Sequence, residues 1–120
     1  EKVVFTGEIS DKQLNVLVSE AKICIYPSLY EGFGLPIIEA MAAGTPVITS
    51  NVSSMPEVAG EAAVLIDPTI IGDITKALIA ICSDRKKQKT MIESGYKWIE
   101  KNKNYNMVEL TKQTYDAKLT

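Results

Sequence analysis

Residues 31–39 read Glu-Gly-Phe-Gly-Leu-Pro-Ile-Ile-Glu, and this stretch predicts a loop that leads directly into a helix. Gly32 and Gly34 flank an aromatic residue, and glycine lets the backbone adopt positive φ angles and lets a ligand approach the main chain closely. Pro36 fits the first turn of a helix, where its missing N–H group costs nothing.

Short apolar runs alternate with helical patterns on both sides of this stretch. We predict buried strands at residues 3–5, 23–26, 46–49 and 63–66. Continuous apolar strands that alternate with helices are typical of a parallel sheet covered on both faces. The predicted fold class is therefore α/β, a Rossmann-like parallel sheet with flanking helices. Such sheets bind ligands at the carboxyl ends of their strands, where the loop before Gly34 lies.

Capping signals mark the helices between these strands. Ser10 and Gln13 have the spacing of a capping box, and Ser54 and Glu57 repeat it before a short turn of helix. Gly44 is placed to end the helix of the opening stretch in a left-handed conformation.

From residue 70 onward the chain is predicted to be entirely helical. An apolar stripe runs through residues 70–81, and Asp84 is placed to cap the helix that follows. We expect Gly95 to interrupt or bend that helix. A last amphipathic helix is predicted at residues 107–119.

Composition limits the chemistry of the chain. Its net charge of −2 offers no basic field for a phosphate backbone, so we expect no nucleic-acid partner. It has no histidine, which excludes histidine-based triads and histidine metal sites from this chain by itself. Cys24 and Cys82 lie among apolar neighbours and are predicted to be buried thiols, with a disulfide or a metal site as the less favoured alternatives. No apolar run approaches the roughly 20 residues of a membrane span, and no leader pattern is present, so we expect a cytoplasmic location.

The loop and the helix start together suit a phosphate. A helix start presents unpaired N–H groups and a partial positive charge, so the amides of residues 32–35 can face an anion without a lysine. Glu39 lies about one turn into the helix, and its side chain leans back toward the same space. A carboxylate there fits ribose hydroxyls, as in dinucleotide folds, and Glu31 projects from the other side of the loop. In isolation, Glu39 could equally complement the helix dipole, and Glu31 could be a solvated loop residue.

Residues 27–48 closely resemble the hallmark of the family-4 (group 1) glycosyltransferases, which are retaining enzymes of the GT-B fold. The matching segments are Pro-Ser at 27–28, Glu-Gly-Phe-Gly-Leu-Pro at 31–36 and Glu-Ala-Met-Ala-Ala-Gly-Thr-Pro-Val-Ile at 39–48. The two acids of the family's Glu-x7-Glu pattern fall at Glu31 and Glu39. Two further segments agree, at residues 4–9 and 56–68, so the resemblance covers about residues 3–68, with weaker agreement in the C-terminal helices.

The resemblance implies a role for each residue of the motif. Glu39 would bind the ribose, and Glu31, the catalytic candidate, would contact hydroxyls of the transferred sugar near its anomeric carbon. Neither a metal nor another cofactor is expected, because amides and cationic side chains stabilise the leaving diphosphate. The remaining donor-binding candidates lie on the two loops that precede helices: Gly32, Phe33, Gly34 and Leu35 on one, and Gly7 and Ile9 near the nucleobase on the other.

The resemblance also implies that residues 1–120 form only part of a nucleotide-sugar-binding domain, inactive as a fragment. The acceptor domain, the first strands and the Arg/Lys pair that clamps the diphosphate would lie outside the chain. The strand order 3-2-1-4-5-6 would then leave residues 3–5 without sheet neighbours. The implied partners are a nucleoside-diphosphate sugar and a glycan or lipid-linked acceptor held by the missing N-terminal domain, with peripheral membrane association left open.

The donor and two rival functions stay open at this point. Residues 53–60 resemble mannosyltransferases that use GDP-mannose, while UDP-sugars are the alternative. The rival functions are a non-catalytic nucleotide-sugar-binding subunit of a split transferase and a nucleotide-sugar epimerase of the same fold.

Overall fold

A three-stranded parallel sheet forms the centre of the computed structural model, which describes residues 2–102. The strands are β1 (Cys24–Tyr26), β2 (Val47–Ser50) and β3 (Val64–Ile66), and they lie in the order β1-β2-β3. Both pairs are parallel, with Ile25 opposite Ile48 and Thr49 opposite Leu65. The predicted α/β class and three of the predicted strands are therefore confirmed.

Within residues 2–102, five helices flank the sheet. They are α1 (Asp11–Glu20), α2 (Leu35–Ala42), α3 (Met55–Ala59), α4 (Ile71–Cys82) and α5 (Arg85–Asn102). After β3 every described element is a helix, as predicted, whereas the helix predicted at residues 107–119 lies outside the described residues.

The central strand β2 separates two apolar cores. All four of its residues are buried, and successive side chains point to opposite faces. Val47 belongs to the core of α2 and α3, and Ile48 to the core under α4. The first core comprises Ile37, Ile38, Ala40, Met41, Val47, Met55, Val58, Ala59 and Ala62. This core holds α2, and with it the end of the opening loop, against the sheet.

Two of the three predicted N-terminal helix caps are confirmed. The N–H of Gln13 donates to Ser10 Oγ at 3.2 Å, and the N–H of Ser10 donates to Gln13 Oε1 at 2.9 Å. The N–H of Lys87 donates to Asp84 Oδ1 at 2.9 Å. The capping box at Ser54 is wrong: no side chain caps α3, because the Ser54 hydroxyl has a partner elsewhere in the fold.

The strand predicted at residues 3–5 is also wrong. The segment is not a strand, and Val3, Val4 and Phe5 are 83%, 76% and 93% exposed. A strand needs neighbours for its N–H and C=O groups, and residues 2–102 supply none to this segment. That this segment lacks its native sheet neighbours stays a prediction.

Two further predictions are corrected by packing. Gly95 does not interrupt α5; it is buried where α5 meets α2, and a Cβ there would lie 3.4 Å from the Cβ and Cγ of Met41. Cys82 is exposed because it ends α4 on the solvent side, while Cys24 is partly buried, and both thiols are free.

Gly60 and Gly72 form a matched pair for a stability test. Gly60 has φ +54°, and a Cβ there would lie 2.6 Å from Cη2 of Trp98, whereas a Cβ at Gly72 would meet nothing within 4 Å. We expect Gly60→Ala to lower the free energy of unfolding by about 2–4 kcal/mol. Gly72→Ala should change it by less than about 1 kcal/mol, in the stabilising direction. Urea unfolding of the complete gene product measures both, and equal effects would contradict the packing around Trp98.

Candidate functional site

The loop between β1 and α2 lies at the carboxyl end of the sheet. It ends at Gly34, which has φ 84° and ψ 45° and stands at the N-cap of α2 without a side-chain cap. The left-handed conformation suits glycine, and a Cβ would lie 3.2 Å from Cδ1 of Ile37. The amides at the start of α2 therefore carry the partial positive charge of a helix N-terminus at the sheet end where ligands bind.

Hydroxyl side chains of β2 and of the segment after it fasten this loop to the sheet. Thr49 Oγ1 donates to the carbonyl of Tyr26 at 2.8 Å, and Ser50 Oγ donates to the carbonyl of Ser28 at 2.6 Å. Both hydroxyl residues are fully buried. Each buried hydroxyl therefore has a hydrogen-bond acceptor, and the chain from Tyr26 to Ser28 is held against β2.

The same pattern continues to Glu31. Ser53 Oγ donates to the carbonyl of Glu31 at 3.1 Å, and Ser54 Oγ donates to the same carbonyl at 2.8 Å. This is the interaction that takes Ser54 away from the cap of α3. We call Thr49, Ser50, Ser53 and Ser54 the hydroxyl ladder.

The carboxylate of Glu31 is partly buried and faces its own loop. Ser28 Oγ donates to Glu31 Oε1 at 3.2 Å. The pKa of the Tyr26 phenol is raised to about 12. Burial is the largest cause, and the hydrogen bond to the Glu31 carboxylate and the negative charge of that carboxylate add to it. The phenol is therefore a neutral hydrogen-bond donor at neutral pH, and Ser28 and Tyr26 together orient the carboxylate.

Glu39 lies on the open side of α2, away from the apolar core. It faces α1 across a groove of about 690 Å³. The groove is lined by Lys12, Asn15, Val16, Val18 and Ser19 of α1 and by Glu39, Ala42 and Ala43. Thr45 Oγ1 donates to the carbonyl of Val18 at 2.6 Å and ties α1 to the chain after α2. A partly buried carboxylate and an ammonium group thus share one groove.

Gly32 and Phe33 border a different cavity, of about 400 Å³. Its other walls are Ser54, Glu57, Val58, Trp98 and Asn102. Phe33 also packs against the core of α2 and α3, so it anchors the loop to that core. Glu39 and the Gly32–Phe33 turn thus border two different cavities.

The remaining predicted positions lie in the segment before α1. Gly7 is exposed with φ 62°, and Ile9 is partly buried. Neither is among the residues that line the groove beside Glu39. Their contact with a nucleobase stays a prediction.

Sequence reasoning missed several residues of this site. Lys12, Asn15, Val16 and Ser19 have i, i+3, i+4, i+7 spacing, which places them on one face of α1. That spacing was a usable signal for one wall of the groove. Tyr26 carried no comparable signal, because its contact with Glu31 depends on how the loop turns back.

Two further features concern metals and membranes. Within residues 2–102, no group of three or more Cys, Asp and Glu side chains could hold a metal ion. The helices of this described region include none long and apolar enough to cross a bilayer.

Comparison with known proteins identifies the family. The family model for glycosyl transferases group 1 matches residues 1–98. The chain belongs to this glycosyltransferase family. The resemblance seen at residues 31–36 and 39–48 is thereby confirmed.

Relatives of this glycosyltransferase chain are considerably longer than it is. The O-antigen chain mannosyltransferase B of Escherichia coli is 36% identical over 113 residues, which are 94% of this chain and 29% of that protein. The MMP alpha-(1->4)-mannosyltransferase of Mycolicibacterium hassiacum is 37% identical over 90 residues, covering 72% of this chain and 22% of that protein. The chain thus spans less than a third of either relative.

A solved structure supports the fold. The sucrose-phosphate synthase of Thermosynechococcus elongatus superposes with a TM-score of 0.76 and 32% identity, over 95% of this chain and 30% of that one. The Rossmann-like sheet with flanking helices expected for part of a GT-B enzyme is confirmed.

The position of Glu39 can be tested through Cys24. Burial raises the pKa of the Cys24 thiol, and the negative charge of Glu39 raises it further. Glu39→Gln removes that charge, so the pKa should fall and the thiolate fraction at pH 8 should rise. We expect alkylation of Cys24 by iodoacetamide to accelerate by about two- to fivefold.

Peptide mass spectrometry follows both thiols in one digest. Exposed Cys82 is the internal control and should react at the same rate in both proteins. An unchanged rate at Cys24 would contradict the placement of the Glu39 carboxylate near β1.

Proposed function

We propose that the complete gene product transfers a hexose from a nucleoside-diphosphate sugar to a glycan or lipid-linked acceptor with retention of anomeric configuration. Residues 2–102 would contribute the donor site. The observation that carries this proposal is the uncapped start of α2, flanked by Glu39 in the groove beside α1 and by Glu31 on the loop.

Each part of a nucleoside-diphosphate sugar has a matching group in this arrangement. The amides of Phe33, Gly34 and Leu35 suit the diphosphate because a helix N-terminus attracts anions. The Glu39 carboxylate suits two vicinal ribose hydroxyls as an acceptor. The Glu31 carboxylate, oriented by Ser28 and Tyr26, suits hydroxyls of the transferred sugar.

We propose GDP-mannose as the donor, with a UDP-sugar as the alternative. Support comes from the names of the two relatives above, both of which are mannosyltransferases. The same names favour a transferase over an epimerase or a non-catalytic binding subunit. With a lipid-linked acceptor, the complete gene product would act at the cytoplasmic face of a membrane.

We further propose that the transfer requires no metal. The leaving diphosphate would be stabilised by main-chain amides fixed in place before the reaction, which avoids the cost of reorganising water. Activity would reside in the complete gene product and not in these 120 residues, which span less than a third of the relatives.

Donor binding to the complete gene product tests the role of Glu39. We expect calorimetric titration to show tighter binding of GDP-mannose than of UDP-glucose. Glu39→Ala should weaken GDP-mannose by about tenfold or more, because hydrogen bonds from ribose hydroxyls to a charged acceptor are lost. Glu93→Ala, on an exposed face of α5, is the matched control and should bind as wild type. Equal binding by Glu39→Ala and Glu93→Ala would rule out the ribose role.

The stereochemical outcome and the metal requirement are tested by product analysis. With GDP-α-mannose as donor, the one-bond C–H coupling of the anomeric carbon should show an α-linked product. Activity should persist in excess EDTA. A β-linked product would contradict retention, and loss of activity that Mg²⁺ restores would contradict the metal-independent mechanism.

A further inference from the structure

Two serines hold both backbone polar groups of Glu31. The N–H of Glu31 donates to Ser53 Oγ at 3.3 Å, and the carbonyl of Glu31 accepts from Ser53 Oγ at 3.1 Å and from Ser54 Oγ at 2.8 Å. These serines lie 22 and 23 residues further along the chain. The contact therefore joins two separate loops at the carboxyl end of the sheet.

Each serine gives up a locally favourable arrangement to make this contact. Within residues 2–102, Ser53 is the one non-glycine residue with a positive φ, at 57°. L-residues other than Asn and Asp rarely adopt this conformation. Ser54 stands at the N-cap of α3 but makes no side-chain cap hydrogen bond. Such departures from local preference persist where the surroundings determine them, and they cluster at functional sites.

Ser53 and Ser54 form a clamp on the backbone of Glu31, while other groups act on its carboxylate. The Glu31 carboxylate contacts Ser28 of its own loop, and the carbonyl of Ser28 is itself held by Ser50. The position of the carboxylate thus depends on the peptide beneath it. Neither Ser53 nor Ser54 lines the groove that contains Glu39.

We propose that Ser53 and Ser54 are positioning residues for the transfer reaction: they fix the Glu31 peptide and, through it, the carboxylate that meets the transferred sugar. This inference rests on the proposed function. Because the groove beside Glu39 is separate from the clamp, the serines should affect turnover and leave nucleotide affinity unchanged.

The first test removes one hydroxyl from the complete gene product. For Ser54→Ala we expect kcat to fall by about tenfold or more, since a displacement of about 1 Å in a reacting group can cost a hundredfold. The KM for the donor and the Kd for GDP should change by less than about twofold. Ser54→Thr keeps the hydroxyl and should recover most of kcat.

Ser83→Ala is the matched control. The Ser83 hydroxyl donates to the carbonyl of Ile79 at 2.7 Å after α4, so this variant also loses one hydroxyl–carbonyl hydrogen bond. It should keep wild-type kcat, KM and Kd. If Ser54→Ala reproduces the profile of Ser83→Ala, the inference is overturned.

A second variant separates positioning from stability. Ser53→Gly removes the hydroxyl, but glycine suits the left-handed backbone at this position. We expect its Tm to stay within about 2 °C of wild type while kcat falls by about tenfold. A purely structural role for Ser53 would leave kcat unchanged when Tm is unchanged, and that result would also overturn the inference.

Glu31→Gln distinguishes failure of this inference from failure of the proposed function. We expect Glu31→Gln to lose kcat, and Ser54→Ala to add little in that background because both changes act on one group. Wild-type kcat in Glu31→Gln would remove the proposed role of Glu31 and the serine inference with it. Loss of kcat in Glu31→Gln, together with a full multiplicative loss from Ser54→Ala, would overturn the serine inference alone.

Discussion

The main-chain pairing that fastens β1 to β2 ends at Tyr26, immediately before Pro27 begins the loop. The hydroxyl ladder takes over that function. Its side chains reach the carbonyls of Tyr26, Ser28 and Glu31 in turn. The loop leaves the sheet yet stays fastened to it, and the proposed position of Glu31 depends on that fastening.

Helix α2 links the fold to the site because its two sides have different tasks. Ile37, Ile38 and Met41 are buried against the sheet and the neighbouring helices, which fixes the axis of α2. Glu39 lies between them in sequence but on the open side, where it faces α1. With 3.6 residues per turn, the residues packed in the core fix the rotation of α2 about its axis. This fixes the position of Glu39 in the groove beside α1.

The features that local patterns determine could be predicted from the sequence. The three strands of the sheet, the capping box at Ser10 and the helix start after Gly34 depend on neighbours within a few residues. Features decided by distant contacts could not. Ser54 has the spacing of a cap, but a carbonyl 23 residues away takes its hydroxyl. Glycine often interrupts a helix, but α5 continues through Gly95, which packs against Met41 of α2.

The site shows the same division. The Glu31 and Glu39 positions followed from the motif, whereas their immediate surroundings did not, because Tyr26, Lys12 and the serine pair reach the site only in the folded chain. A crystal structure of the complete gene product with GDP tests the central claim most directly. We expect the pyrophosphate within about 3 Å of the amides at Gly34 and Leu35, and the ribose hydroxyls on Glu39. A nucleotide seated between Phe33 and Trp98, without contact to Glu39, would contradict it.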